Sequence, residues 1–180
     1  MKKMIVFAAC TMLVAITQAA SVGWSLVGAN SYANDAYQFF IIGQNGATSI
    51  ATITALLDAG TDTSTYAFGT GSINGSGAAS VLPAASGKTI GAGTYTGFFV
   101  VFDDAAPAAG SANYAVVSGA ATLTKTVAAT TANVQFASGN ASSILNNTAN
   151  WKSFGPVPEP TSGLLLLVGA GMLALRRKQK

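Results

Sequence analysis

The stretch Thr94-Tyr95-Thr96-Gly97-Phe98-Phe99-Val100-Val101-Phe102 decides the fold. From Phe98 to Phe102 it has no polar position, so a strand here must be covered on both faces and belongs in the middle of a sheet. Asp103-Asp104 ends it. Outward from this run the chain breaks into short segments bounded by Gly, Ser and Asn. Ser21 to Ala29 alternates Val22, Trp24 and Leu26, and Tyr37 to Ile42 is aromatic and β-branched, closed by an Asn45-Gly46 turn. Tyr66 to Ile73 and Ala78 to Leu82 flank Asn74-Gly75-Ser76-Gly77, which reads as a hairpin-like junction. Asn113 to Val117, Ala121 to Val127 and Asn133 to Phe136 follow, and Trp151 to Phe154 adds a closing edge. One segment changes period. Between Thr48 and Leu57, the residues Ile50, Ile53, Ala55, Leu56 and Leu57 share a helical face, Thr48 or Ser49 can cap it, and Ala59-Gly60 stops it. The fold class is therefore mainly β: an antiparallel sandwich or jelly-roll-like body with one short helix.

Composition narrows what that body can do. The chain has 180 residues, 50% apolar and only 8% charged, with no histidine and a single cysteine, Cys10. Charged residues make up about 25% of an ordinary soluble domain. Without a histidine, and without a cysteine beyond Cys10, the body can build no disulfide, thiolate zinc site or His-based triad. The net charge of +3 comes from the two ends. Between them stand Lys88, Lys125 and Lys152 against Asp35, Asp58, Asp62, Asp103 and Asp104, which offers no basic stripe for a phosphate backbone. No nucleic-acid partner is expected.

The N-terminus has the plan of a secretory signal peptide: Lys2-Lys3, an apolar run from Met4 to Ile16, then Thr17-Gln18-Ala19-Ala20. Cleavage by signal peptidase after Ala19 puts small residues at −3 and −1, giving a signal peptide over 1–19. Cys10 lies inside the apolar run, and Phe7-Ala8-Ala9 fits a lipoprotein cleavage box poorly. The C-terminus has a second layout. Gly155-Pro156-Val157-Pro158-Glu159-Pro160-Thr161-Ser162 cannot join a helix or a ladder, so it stays extended and open to a processing enzyme. The uncharged run Gly163 to Leu175 then spans about 20 Å as a helix, against a hydrocarbon core of roughly 30 Å, and crosses only with help from its flanks. Arg176, Arg177, Lys178 and Lys180 form a basic stop-transfer tail that stays cytoplasmic, which places the body outside.

Val157-Pro158-Glu159-Pro160, the short apolar helix and the Arg-rich tail resemble the PEP-CTERM sorting signal of Gram-negative bacteria, which exosortase recognises. The Leu-Pro-x-Thr-Gly of a Gram-positive sorting signal is absent. The resemblance covers about residues 156–180. It implies exosortase as partner, transient anchoring in the inner membrane, processing near the Pro-Glu-Pro motif, and delivery to the cell surface or beyond. It implies nothing about the body. The domain plan is a signal peptide (1–19), a β-rich extracellular body (20–154), a Pro-rich linker (155–162), a transmembrane helix (163–175) and a basic tail (176–180).

Chemical constellations in the body are thin, and neither a metal nor a cofactor is expected. Asp103-Asp104 with Asn113 could offer calcium hard oxygen ligands, but a solvated turn uses Asp in the same way. Asp58 and Asp62 could flank a sugar as a carboxylate pair, though both stand among turn residues. No Ser or Thr has a visible base. Trp24, Trp151, Tyr32, Tyr37, Tyr66, Tyr95 and Tyr114 could stack on sugar rings or could fill a small core that needs large side chains. The glycosylation-type sequons at Asn74, Asn140 and Asn146 read as turn residues. The expectation is an exported noncatalytic surface or extracellular-matrix protein associated with exopolysaccharide. A carbohydrate-binding module using exposed aromatics is the alternative, and a secreted carboxylate-dependent hydrolase the second.

Overall fold

The computed structural model describes residues 20–91, 93–118, 124–127 and 133–156. The expected signal peptide, sorting motif, transmembrane helix and basic tail lie outside the described residues, as do 121–123 of one expected strand. Among the described residues no helix is long and apolar enough to cross a membrane.

The elements in chain order are β1 (Ala20–Val27), β2 (Ala36–Ile41), α1 (Ile50–Asp58), β3 (Gly69–Ser72), β4 (Ala78–Val81), α2 (Pro83–Ser86), β5 (Thr89–Ile90), β6 (Gly93–Phe102), β7 (Asn113–Val117), β8 (Thr124–Val127), β9 (Val134–Asn140), α3 (Ser142–Leu145) and β10 (Trp151–Ser153). They form two sheets. The larger runs β10-β7-β6-β2-β3, with β8 paired to the first half of β6; the smaller has β1 at its centre, flanked by β4 and β5, with β9 also paired to β1.

Strand β6 occupies the place its sequence demands. Phe99 and Val101 point into a core shared with Val22, Trp24 and Leu26 of β1, Phe39 of β2 and Phe136 of β9, so the two sheets face each other across this layer. The Trp24 ring stacks on Phe39 at 5.2 Å, and Phe39 meets Phe136 at 5.6 Å. On the opposite face of β6, Phe98, Val100 and Phe102 enter a second core with Phe40, Tyr114, Phe154 and the helix residues Ile53 and Leu57. The large sheet is thus the middle of three layers, which is why a strand at its centre carries no polar position. Helix α1 starts where Ser49 Oγ accepts the Thr52 amide at 3.1 Å and buries Ile53 and Leu57, one turn apart. Buried polar groups are paired: Thr63 donates to Gln38 Oε1 at 2.6 Å, and Trp24 Nε1 donates to the Tyr37 hydroxyl at 3.0 Å.

Several expectations need correction. The sandwich is not purely antiparallel, because β1 and β9 pair in parallel through Val22–Val134 and Trp24–Phe136. Single-turn helices α2 and α3 and short 3₁₀ turns at Asn30–Tyr32 and Thr148–Asn150 accompany α1, so the short helix is not alone. The Asn74–Gly77 loop reverses the chain, with Asn74 Oδ1 accepting the Ser76 and Ala78 amides at 3.0 Å, but it does not close a hairpin. β3 pairs with β2 in one sheet and β4 with β1 in the other, so the loop is a crossing between layers. The expected strand from Tyr66 shortens to Gly69–Ser72, since Thr63 to Ala67 turn on themselves.

Candidate functional site at the exit of the C-terminal segment

Among the described residues β10 is the last strand and lies at the edge of the larger sheet. β10 pairs with β7 through Trp151–Ala115, Lys152–Tyr114 and Ser153–Asn113. Three pairs hold an edge weakly, and side chains reinforce it. The Trp151 ring stacks on Tyr32 at 4.6 Å, and both Trp151 Nε1 (2.7 Å) and the Tyr32 hydroxyl (3.0 Å) donate to the carbonyl of Leu145 in α3. Burial, helped by the charges of Asp103 and Asp35, holds the Tyr32 phenol above its usual pKa and keeps it a donor.

Beyond β10 the anchoring continues through Phe154 and Gly155. Phe154 is buried against the Phe102 ring at 5.6 Å; its amide donates to Ala112 and its carbonyl accepts from Gly110. Gly155 is buried too, at φ +83°, and its amide donates 2.8 Å to the Leu57 carbonyl at the end of α1. A Cβ there would lie 3.0 Å from the Gly60 Cα and the Ala109 Cβ. The sequence reading assigned Gly155 to the linker, yet it is buried and hydrogen-bonded within the body. Pro156, the next, is exposed. A cut beyond this point removes none of these contacts.

The other sequence candidates are drawn into local structure. Asp103 accepts from the amide of Asn113 (2.6 Å) and from its side-chain nitrogen (2.8 Å), while Asp104 accepts the Ala106 amide at 2.8 Å. Among the described residues no cluster of three or more His, Cys, Asp or Glu is placed to hold a metal. Asp58 accepts the Tyr114 hydroxyl at 2.6 Å, and Asp62 accepts from the amide and hydroxyl of Ser64, each at 2.8 Å. Burial, then the hydrogen bond and charge of Asp58, pushes the Tyr114 phenol well above its usual range. Of the aromatics, Trp24, Tyr37 and Tyr114 are buried, and Tyr32 and Trp151 stack on each other; Tyr66 and Tyr95 are half-buried. At the sequons, Asn74 and Asn140 cap turns through their side chains. Val157, Pro158, Glu159 and Pro160, with Arg176, Arg177, Lys178 and Lys180, lie outside the described residues.

One feature escaped the sequence. Beside α1 the outer face of the large sheet opens into a groove of about 420 Å³, lined by Ile50 and Thr54 of α1, Tyr114 and Val116 of β7, Ser118, Ile144 of α3, Asn150, and Lys152 of β10. These residues come from segments far apart in the chain and share no motif, so only the packing of α1 on the sheet assembles them.

Residues 156–179 match the family model of the PEP-CTERM protein-sorting motif. The chain therefore carries a PEP-CTERM protein-sorting motif, which supports a secreted protein targeted to exosortase as its processing partner at the membrane. No curated protein and no solved structure matches the chain.

Proposed function

We propose that the body is a noncatalytic surface or extracellular-matrix protein, associated with extracellular polysaccharide and delivered by way of a transient anchor in the inner membrane. The observation that carries this reading is the placement of the sorting signal. Its match begins at Pro156, directly after the buried and hydrogen-bonded Phe154 and Gly155, which supports a body that keeps these contacts when the signal is removed. The low charge of the body and the use of its carboxylates as turn and tyrosine partners support a structural role over a hydrolytic one.

Fractionation of the native host with an antibody to the body tests the proposal. The protein should be found at the surface and in the extracellular polysaccharide fraction of wild-type cells, and in the membrane fraction of cells lacking exosortase. Enzymatic removal of the polysaccharide should release it. A cytosolic protein, or one whose distribution ignores both exosortase and polysaccharide, would contradict the reading.

A further inference from the structure

The groove beside α1 has a chemistry of its own. Tyr114 and Val116 alternate along β7 and so share one face with Ser118 beyond them, and Lys152 stands directly opposite Tyr114 on β10, which puts its side chain on that face as well. Ile50 and Thr54 are one helical turn apart and form one wall. Ile144 and Asn150 form the other. Some of the polar groups are already engaged. The Tyr114 hydroxyl is spent on Asp58, Thr54 Oγ1 donates to the Ala51 carbonyl at 3.1 Å, and the Asn150 amide nitrogen donates to the Ile144 carbonyl at 2.9 Å. What remains for a ligand is the Ser118 hydroxyl, the oxygens of Thr54 and Asn150, and the Lys152 ammonium, which has no carboxylate partner among the described residues. Between them lies the short aliphatic surface of Ile50, Val116 and Ile144.

The geometry points to a site for a carboxylated sugar residue, a hexuronate within an anionic polysaccharide. The aliphatic strip offers a surface for the C–H face of a pyranose ring. The hydroxyl and amide oxygens take its hydroxyl groups, and Lys152 takes its carboxylate. At about 420 Å³ the groove falls within the size range of ligand sites, roughly 300–1,000 Å³, and it is open to solvent. A single ammonium suits one carboxylate per ring; a phosphate chain would call for several cationic or backbone donors. This assignment rests on the reading of the protein as a matrix component, and it names the class of polymer and the place where it is held.

Calorimetric titration of the processed protein purified from its host tests it, with a galacturonate oligomer and a neutral galactose oligomer as probes. The galacturonate oligomer should bind about fivefold more tightly than the neutral one, the scale of a solvent-exposed ion pair, and added salt should erode that difference. Lys152→Gln should bring the two to the same affinity, while Lys152→Arg keeps the preference. Ser118→Phe, which fills the groove without altering charge, should abolish both; if it fails to fold, the two Lys152 variants decide. Equal affinities in the wild type, no effect of Lys152→Gln, full binding by a folded Ser118→Phe, or no binding of either oligomer would overturn the assignment. Cell fractionation separates the two readings. A protein held in the matrix whose groove ignores uronates sinks only the groove, and one that binds uronates in the calorimeter but never reaches the matrix sinks the proposed function.

Discussion

Replacing Gly155 by alanine tests whether the body is pinned at its exit. Gly155 sits at φ +83°, where a Cβ costs about 1 kcal/mol by itself. The new methyl would also stand 3.0 Å from Gly60 Cα and Ala109 Cβ, two neighbours without a flexible end to swing away, and such overpacking adds about 1–2 kcal/mol. Gly43 provides the control, because it has nearly the same backbone angle, φ +87°, with nothing within 4 Å of the position a Cβ would take. Gly43→Ala should therefore cost about 1 kcal/mol and Gly155→Ala about 2–3 kcal/mol. In urea unfolding of the full protein, with a slope near 1–3 kcal/mol per molar, the two midpoints should separate by about 1 M. Equal midpoints for the two variants would refute the claim that the chain is packed up to Gly155.

The core and its charges give three more expected outcomes. Tyr37→Phe leaves the buried Trp24 indole N–H without its 3.0 Å acceptor and should cost about 1–3 kcal/mol in the same assay. Asp35 is held above its usual carboxylate pKa of 3.8, first by burial and then by the charges of Asp103 and Asp104. The folded state thus favours its proton, and that advantage, complete below the unfolded value, is lost as pH rises through the folded one. Asp35→Asn should accordingly be more stable than wild type at pH 7, with the gap closing as pH is lowered; a gap that widens in acid would contradict this. Tyr114 behaves in the same sense at the alkaline end. Its contribution is complete below 10.0 and lost as pH rises further, so the stability curves of wild type and Tyr114→Phe should converge above pH 10.

Much of the fold could be read from residue patterns where burial is one-sided or complete. β6 declared itself through five unbroken apolar residues, and α1 through a change of period and a serine cap, because both signals arise from the environment each residue must enter. Pairing was harder to read. Asn74-Gly75-Ser76-Gly77 has the chemistry of a chain reversal, and it does reverse the chain. Turn chemistry, however, specifies a change of direction and not the partner of the next strand. The small residues of β3, Gly69-Thr70-Gly71-Ser72, suit an edge beside β2, while Ala79 of β4 is buried in the layer around β1. The parallel match of β1 and β9, more than a hundred residues apart, leaves no local mark. For the same reason the sorting signal, a contiguous motif, was legible, while the groove around Lys152, gathered by tertiary packing, was not.

Intact mass spectrometry of the protein from its native host, with and without exosortase, tests the central claim most directly. With the enzyme present, the mass should correspond to a chain ending near Pro158-Glu159-Pro160 that retains everything through Gly155; without it, the mass should include the terminal arginines and lysines. A chain that keeps Arg176 to Lys180 in wild-type cells, or is cut inside the body upstream of Gly155, would contradict the account.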